Sequence, residues 1–401
     1  MPETYATQLR FALPQIQTAY TFAQKNITDD LIFSVAQRLA DVRAPSGTVS
    51  FTIGPEIKNI LEDFRVDKKH TTFTHDYLRT GNPVFEINPT SNMPSTIFFA
   101  HGDRVSYVVE QPGTDEVSLS PKCAHRQAPA TNVGDDAKVQ FPGQALRLHK
   151  DSLEIITDGQ VVTDQKGGIL FVTDHGHNPE LKKDDRVIFN PLPGESHRLK
   201  KDGQNAVGDV DNTFGLAATL LMATTMIALQ QALPKLNKIK TIVVADDNEE
   251  GPPTGEFGLG AQAFVKVFHL NAANRHIVVD GHDGQRDNLP SKALLAKVVS
   301  RGKGVVMNNR RFNKMNMLVR PLKDIGANID WDQNVEVSTS RSSDWGLRNA
   351  KIPDTKILVA GYSEAMPHHN DLAPAVASIP SAVELSRFLV ALNVAASFGL
   401  I

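Results

Sequence analysis

The apolar and polar positions of the chain form blocks that predict an α/β protein. Four short runs are almost entirely apolar, as in strands that are buried on both faces: STIFFA, TIVVA, HIVVD and KILVAGY. Other blocks have helical patterns: 31–42, 55–64, 214–233, 261–269, two segments after Ser291, and 381–398. Strands that alternate with helices indicate a mostly parallel central sheet with helices on both faces.

The segment between residues 110 and 204 has a different pattern. RLHKDSLEIITDGQVVTDQKGGILFVTDHG alternates short β-rich runs with TDG and QKGG turns, and RVIFNPL adds another strand. The pattern predicts a small, inserted, all-β domain that resembles a barrel. The predicted organisation is therefore an α/β domain made of residues 1–109 and 205–401, with the β domain at 110–204 between its two parts.

Composition and charge exclude several classes of protein. The 401 residues are 41% hydrophobic and 22% charged, which is typical of a globular protein and allows two or three domains. A formal charge of −3 argues against a broad nucleic-acid-binding face. The one cysteine, Cys123, excludes a disulfide within the chain. With no secretory signal visible, we expect a cytoplasmic location.

The run at 214–233, FGLAATLLMATTMIALQQAL, has the length of a membrane span. It contains three threonines and two glutamines, and it follows the acidic stretch GDVDN. We therefore predict a buried helix of the α/β domain and no association with a membrane.

Side chains that can bind metal ions or move protons follow the predicted strands or precede the apolar helix. In open α/β sheets, ligands bind beyond the carboxyl ends of the strands. The candidates along this edge are His101, Asp103, Asp209, Asp211, Asp246, Asp247, Glu249, Glu250, Asp280, His368 and His369. Each one alone has an ordinary structural explanation, such as a helix N-cap for Asp211. Together they supply a bridging carboxylate, terminal ligands and a base, the parts of a two-metal site that suits Zn²⁺, Co²⁺ or Mn²⁺.

Several stretches between about residue 95 and residue 401 match one known family in the same order. They are FFAHGDRVSYVV, KKDDRVIFNP, GDVDNTFGLAATLL, IVVADDNEEG with GLGAQAF, HIVVDG, GKGVV and SRSSDWG, followed by a histidine before the last helix. In these stretches the chain resembles the co-catalytic metallo-aminopeptidases, which include glutamyl aminopeptidase and the tetrahedral aminopeptidases. The matching family motifs are AH-x-D-E-V-G, GD-x-V-x-F, LDNR-x-G, QEEVGLRGA and GKGP.

The resemblance implies a zinc-exopeptidase fold and a hydrolase that removes N-terminal residues from short peptides. The roles that it implies are as follows: His101 and Asp280 bind one metal ion, Asp211 bridges two, Glu250 and His368 complete the second site, Asp103 orients His101, and Glu249 is the general base. It also implies two divalent ions per subunit, with zinc first and cobalt or manganese as alternatives. A homo-oligomer, either a dimer or a dodecamer, is expected, with the β domain mediating dimers.

The chain departs from the family pattern at several positions. Thr213 stands where the family has arginine, and Arg104 stands where it has glutamate. His369 is an alternative to His368. A second alignment places Glu256 as the ligand and Gly255 at the base position, which would predict an inactive protein. We favour Glu249 and Glu250 because they follow the strand more directly.

Two other functions remain open alongside the aminopeptidase. A metal-dependent deacylase or amidohydrolase would use the same site on N-acyl substrates, and only an aminopeptidase would require a free α-amine. A non-catalytic homologue would keep the fold as a binding or assembly module. A calcium-binding protein is disfavoured because calcium prefers oxygen cages to histidine.

Overall fold

The computed structural model describes most of the chain. The described residues are 3–112, 117–122, 139–163, 168–173, 181–236, 238–250, 258–268, 274–283, 289, 291, 293–296, 309–332, 343–353, 356–365 and 374–401. The α-helices among them are α1 (Glu3–Asn26), α2 (Asp29–Asp41), α3 (Ile53–Asp63), α4 (Thr213–Ala232), α5 (Leu259–Val267), α6 (Asn309–Lys323), α7 (Ser343–Asn349) and α8 (Ile379–Ser397).

The described strands form one large central sheet and one separate barrel. Those of the sheet are β1 (Thr71–Thr74), β2 (Val84–Ile87), β3 (Ser95–His101), β10 (Leu199–Asp202), β11 (Asn205–Gly208), β12 (Lys240–Asp246), β13 (Arg275–Asp283), β14 (Ala293–Ala296), β15 (Ile329–Asp332), β16 (Ile357–Ala365) and β17 (Ala375–Ser378). Those of the barrel are β4 (Ser106–Gln111), β5 (Val117–Pro121), β6 (Val139–Leu148), β7 (Leu153–Thr163), β8 (Ile169–Thr173) and β9 (Arg186–Phe189).

The centre of the sheet is parallel, in the order β12-β3-β13-β16. These four strands are the four apolar runs of the sequence. Antiparallel strands extend the sheet at both sides. Strands β2 and β1 lie beyond β12, and strands β17, β11 and β10 lie beyond β16. The predicted fold class, an α/β protein with a mostly parallel central sheet, is confirmed.

Helices cover both faces of the sheet, as predicted. One face packs against α1, α2, α3, α4, α6 and α8 in the larger core, and the other packs against α5 and α7. Helix α4 is apolar all round because its residues are buried on nearly every side. Both α4 and α8 are long and apolar enough to cross a membrane, but most of each helix is buried inside the protein, as in a core helix.

The β-rich segment forms a closed barrel in the order β4-β5-β8-β7-β6-β9. Its interior is filled by apolar side chains that include Val109, Phe141, Val161 and Phe171. The barrel strands run from Ser106 to Phe189, whereas β10 pairs with β11 in the central sheet. These are the described strands of the predicted insertion at 110–204, and its limits as a domain stay a prediction.

One predicted helix is wrong. The first of the two helical segments expected after Ser291 contains strand β14, which pairs with β15 and β16. The run ALLA is short and apolar, and such a run does not distinguish a buried strand from a helix. The second expected helix is present as α6.

A buried histidine on β13 is a source of acid sensitivity. His276 is 2% exposed, and its ring stacks on Phe99 with the ring centroids 6.3 Å apart. Burial lowers the pKa of His276 from 6.5 to about 4. Between about pH 6.5 and pH 4, His276 is therefore protonated in the unfolded chain but neutral in the folded chain.

We expect the stability that comes from neutral His276 to be complete above about pH 6.5 and to be lost as the pH falls towards 4. The loss should be about 3 kcal/mol of unfolding free energy. His276→Phe should remove this part of the pH dependence, as measured by urea denaturation at pH 7 and pH 4. Equal acid sensitivity in wild type and His276→Phe would contradict the assignment.

Candidate metal centre

The carboxyl ends of three central strands meet at one edge of the sheet. Asp246 pairs with His101 across β12 and β3, and Val278 pairs with Phe99 across β13 and β3. Asp280, two residues beyond Val278, therefore stands level with His101. The parallel register thus brings His101 and the carboxylate of Asp280 to the same edge of the sheet, as expected because each residue stands at the end of an apolar run.

The start of α4 brings Asp211 to this edge. Asn212 is buried, and its side-chain amide donates to the Val279 carbonyl at 2.6 Å, which ties this segment to β13 beside Asp280. The Asp211–Asn212 peptide bond is cis. Gly215 leaves the space that the Asn212 side chain fills, because a Cβ on Gly215 would lie 1.9 Å from Asn212 Oδ1.

Five predicted site residues lie together here. We call His101, Asp211, Glu249, Glu250 and Asp280 the acidic cluster. His101 Nε2 lies 3.1 Å from Asp211 Oδ1, 3.8 Å from Glu249 Oε2 and 3.9 Å from Asp280 Oδ1. Ligand atoms of His101, Asp211 and Glu250 all lie within 4.8 Å of one another. His368, His369, Gly255 and Glu256 lie outside the described residues.

Asp103 lies beneath the acidic cluster and is completely buried. Its backbone carbonyl is 3.2 Å from His101 Nδ1, so this contact holds the imidazole ring from its far side. Its carboxylate accepts the backbone N–H of Glu249 at 3.2 Å and that of Glu250 at 3.3 Å. Ser46 donates its hydroxyl to the same carboxylate at 2.5 Å. Asp103 therefore contacts both His101 and the Glu249–Glu250 segment.

The electrostatics of the acidic cluster favour a bound cation. Burial raises the pKa of Asp280 to about 8 and raises the pKa of Glu249 well above its usual value. Burial opposes a charge on His101, but the neighbouring carboxylates, Glu249 foremost, outweigh burial and raise the pKa of His101. At this buried site, the negative charge of four carboxylates beside one histidine must be neutralised by protons or by a cation. Carboxylate and imidazole donors without thiolate suit zinc, cobalt or manganese.

Further buried carboxyl groups surround the acidic cluster. Asp247 accepts the backbone N–H of Gly47 at 2.8 Å and that of Val49 at 3.3 Å, and burial raises its pKa to about 8. Asp246 accepts the hydroxyl of Ser343 at 2.7 Å. These two residues support loops and are not among the residues assigned a role from the sequence.

Sequence reasoning missed two buried residues of the site. Glu364, on β16, places its carboxylate where a Cβ of Gly281 would stand, 1.9 Å from that position, beside Asp280. Its position near the carboxyl end of an apolar strand is the signal that would have found it. Ser46, in the loop before α3, has no such signal, because only the fold brings it to Asp103.

The architecture and the acidic cluster define a class. The chain has the zinc-exopeptidase-like fold of the co-catalytic metallo-aminopeptidases, as the resemblance predicts. No protein-family model matches the chain, and no curated protein matches it. The similarity to solved structures is therefore one of fold.

Three solved structures illustrate this similarity. The TET aminopeptidase from the marine sediment archaeon Thaumarchaeota archaeon SCGC AB-539-E09 has a TM-score of 0.64 at 13% identity, over 93% of this chain and 99% of that chain. Aminopeptidase APDkam598 from the archaeon Desulfurococcus kamchatkensis has a TM-score of 0.63 at 12% identity, over 91% and 94%. The Pyrococcus horikoshii TET1 peptidase, which assembles into a tetrahedron or a large octahedral shell, has a TM-score of 0.59 at 11% identity, over 90% and 99%.

Proposed function

We propose that this protein is a metal-dependent aminopeptidase that removes N-terminal residues from short peptides. The observation that carries the proposal is the convergence of His101, Asp211 and Glu250, whose ligand atoms lie within 4.8 Å of one another. Glu249 stands beside them, 3.8 Å from His101. The aminopeptidases that share the fold support the same activity.

We propose two divalent ions, with zinc preferred over cobalt or manganese. His101 and Asp280 would hold the first ion, Glu250 would hold the second together with His368, which lies outside the described residues, and Asp211 would be a ligand of both. When bound, the ions polarise the scissile carbonyl and make water easier to deprotonate.

Glu249 is the proposed general base. It would take a proton from the attacking water and give it to the leaving amine. Asp103 accepts the backbone N–H of Glu249 and so holds the segment from which the Glu249 side chain projects.

We further propose that the protein works as a homo-oligomer and that its barrel mediates the dimer contact. The Pyrococcus horikoshii peptidase, which can assemble into a tetrahedron or a large octahedral shell, supports oligomerisation.

The first test is metal content per chain. After reconstitution with Zn²⁺ and removal of free metal, elemental mass spectrometry should find about two ions per wild-type chain. Asp211→Asn should impair both sites because it weakens a shared ligand. Asp63→Asn, at an exposed position, should keep both ions. Two fully occupied sites in Asp211→Asn would contradict the bridging role, and no metal in the wild type would favour a non-catalytic homologue.

A substrate pair separates the two hydrolase classes. Aminoacyl-aminomethylcoumarin and its N-acetyl counterpart differ only in the free α-amine. Release of aminomethylcoumarin from the free-amine compound alone is the expected result. Release of acetate from the N-acetyl compound, with aminomethylcoumarin released from neither compound, would indicate a deacylase.

A further inference from the structure

The two departures from the family motifs around His101 and Asp211 meet in space. Arg104 and Thr213 are 109 residues apart in the chain, and the Arg104 Nη2 donates to Thr213 Oγ1 at 2.7 Å. Both side chains are buried. Arg104 belongs to the loop after β3, and Thr213 is the first residue of α4. The contact therefore joins the two segments that carry His101 and Asp211.

The remaining donors of Arg104 strengthen the same connection. Its Nη1 donates to the carbonyl oxygens of Gly102, at 3.2 Å, and Asp103, at 3.3 Å. Its Nε lies 2.9 Å from Asp209 Oδ1, in the segment that leads to Asp211. One guanidinium thus holds the loop that follows His101 on one side and the residues on both sides of Asp211 on the other.

The backbone of Arg104 is itself held in place. Its N–H donates to the Ala44 carbonyl at 2.8 Å, and its carbonyl accepts the Ser46 hydroxyl at 3.3 Å. The guanidinium therefore projects from a fixed point. An interaction anchored in this way can set a distance between two segments.

We propose that Arg104 is a positioning residue that sets the separation of His101 and Asp211, now 3.1 Å, so that both can bind one metal ion. The proposal rests on the metal centre of the proposed function. A guanidinium suits the task because its five donors lie in a rigid plane, whereas a lysine ammonium cannot reach the carbonyl, carboxylate and hydroxyl partners together.

Arg198 provides a matched control in the same ion-pair network. Its Nε and Nη2 each lie 3.2 Å from Asp209 Oδ2, so it shares Asp209 with Arg104. Its Nη2 also donates to the Phe189 carbonyl, at the end of β9, at 2.6 Å. Arg198 thus pairs with Asp209, and its hydrogen bonds within the described part of the chain go to Asp209, Phe189 and Asp41 and not to the loop after His101.

The experiment compares Arg104→Met, Arg104→Lys, Thr213→Val and Arg198→Met. Zn²⁺ affinity is measured by competition with a chromophoric chelator, and crystal structures of the metal-free variants give the distance from His101 Nε2 to Asp211 Oδ1. We expect affinity to fall about 10- to 100-fold in Arg104→Met, with smaller losses in Arg104→Lys and Thr213→Val. The distance should lengthen in the same order. Arg198→Met should lower the melting temperature while keeping both affinity and distance.

Three outcomes would overturn the inference. The first is an unchanged distance from His101 Nε2 to Asp211 Oδ1 in folded Arg104→Met. The second, which applies if that variant does not fold, is an unchanged distance in Thr213→Val. The third is an equal loss of Zn²⁺ affinity in Arg104→Met and Arg198→Met, which would mean that the arginines only neutralise Asp209. Failure of the wild type to bind Zn²⁺ would reject the proposed function instead, and the metal-free distances would still decide the role of Arg104.

Discussion

Glu249→Gln should keep its metal ions and lose about 10²- to 10⁴-fold in turnover. The amide has the size of the carboxylate but cannot take a proton from water. The backbone N–H that Asp103 accepts is unchanged by the substitution, so the segment should stay in place. Turnover of an aminoacyl substrate and zinc content, measured on the same preparation, check the prediction.

The neighbouring Glu250 is the matched control for this substitution. It belongs to the same segment, and it contributes a candidate ligand atom. Glu250→Gln should therefore lose metal as well as activity. Unchanged turnover in Glu249→Gln would reject the assignment of Glu249 as the general base.

Asp103→Ala should destabilise the fold and weaken metal binding together. The substitution leaves the buried backbone N–H groups of Glu249 and Glu250 without their acceptor, and the Ser46 hydroxyl keeps only its longer contact with the Arg104 carbonyl. At about 1–3 kcal/mol for each unsatisfied donor, the loss of unfolding free energy should be at least about 2 kcal/mol. Zn²⁺ affinity should also fall because the Glu249–Glu250 segment is no longer held.

Asp247→Ala separates these two effects. Asp247 also accepts backbone N–H groups, from Gly47, Val49 and Asn248, but those of Glu249 and Glu250 are held by Asp103. A comparable loss of stability is expected, with Zn²⁺ affinity closer to that of the wild type. Urea denaturation and chelator competition measure the two quantities. Equal affinity losses in both variants would show that Asp103 acts only through stability.

The central fold was predictable from sequence because each central strand is a short apolar run with polar residues directly after it. An apolar run that ends in a polar residue, such as STIFFAH, carries both the burial of the strand and the position of its functional end. Parallel pairing then brings His101, Asp246 and Asp280 to one edge without further information. Edge strands such as β1 and β10 are only four residues long and partly polar, so they resemble loops.

The contacts that hold the site in shape were not predictable in the same way. Ser46 and Asp103 are 57 residues apart, and Arg104 and Thr213 are 109 apart. No local pattern links such pairs, because each contact exists only after the sheet and α4 have packed. Arg104 and Thr213 are unlike the family pattern when each is considered alone, and only their hydrogen bond relates one change to the other.

Along the chain, the barrel lies between the segment that carries His101 and the segment that carries Asp211. Its first strand begins at Ser106, five residues after His101, whereas the turn between β6 and β7 lies on the exposed residues 150–152. Changes of loop length should therefore be tolerated at the β6–β7 turn, where grafted peptides or labels can be attached. The same insertion near Arg104 would change the spacing of His101 and Asp211. Natural or engineered variation in the size of this barrel is thus expected to accumulate at its far end.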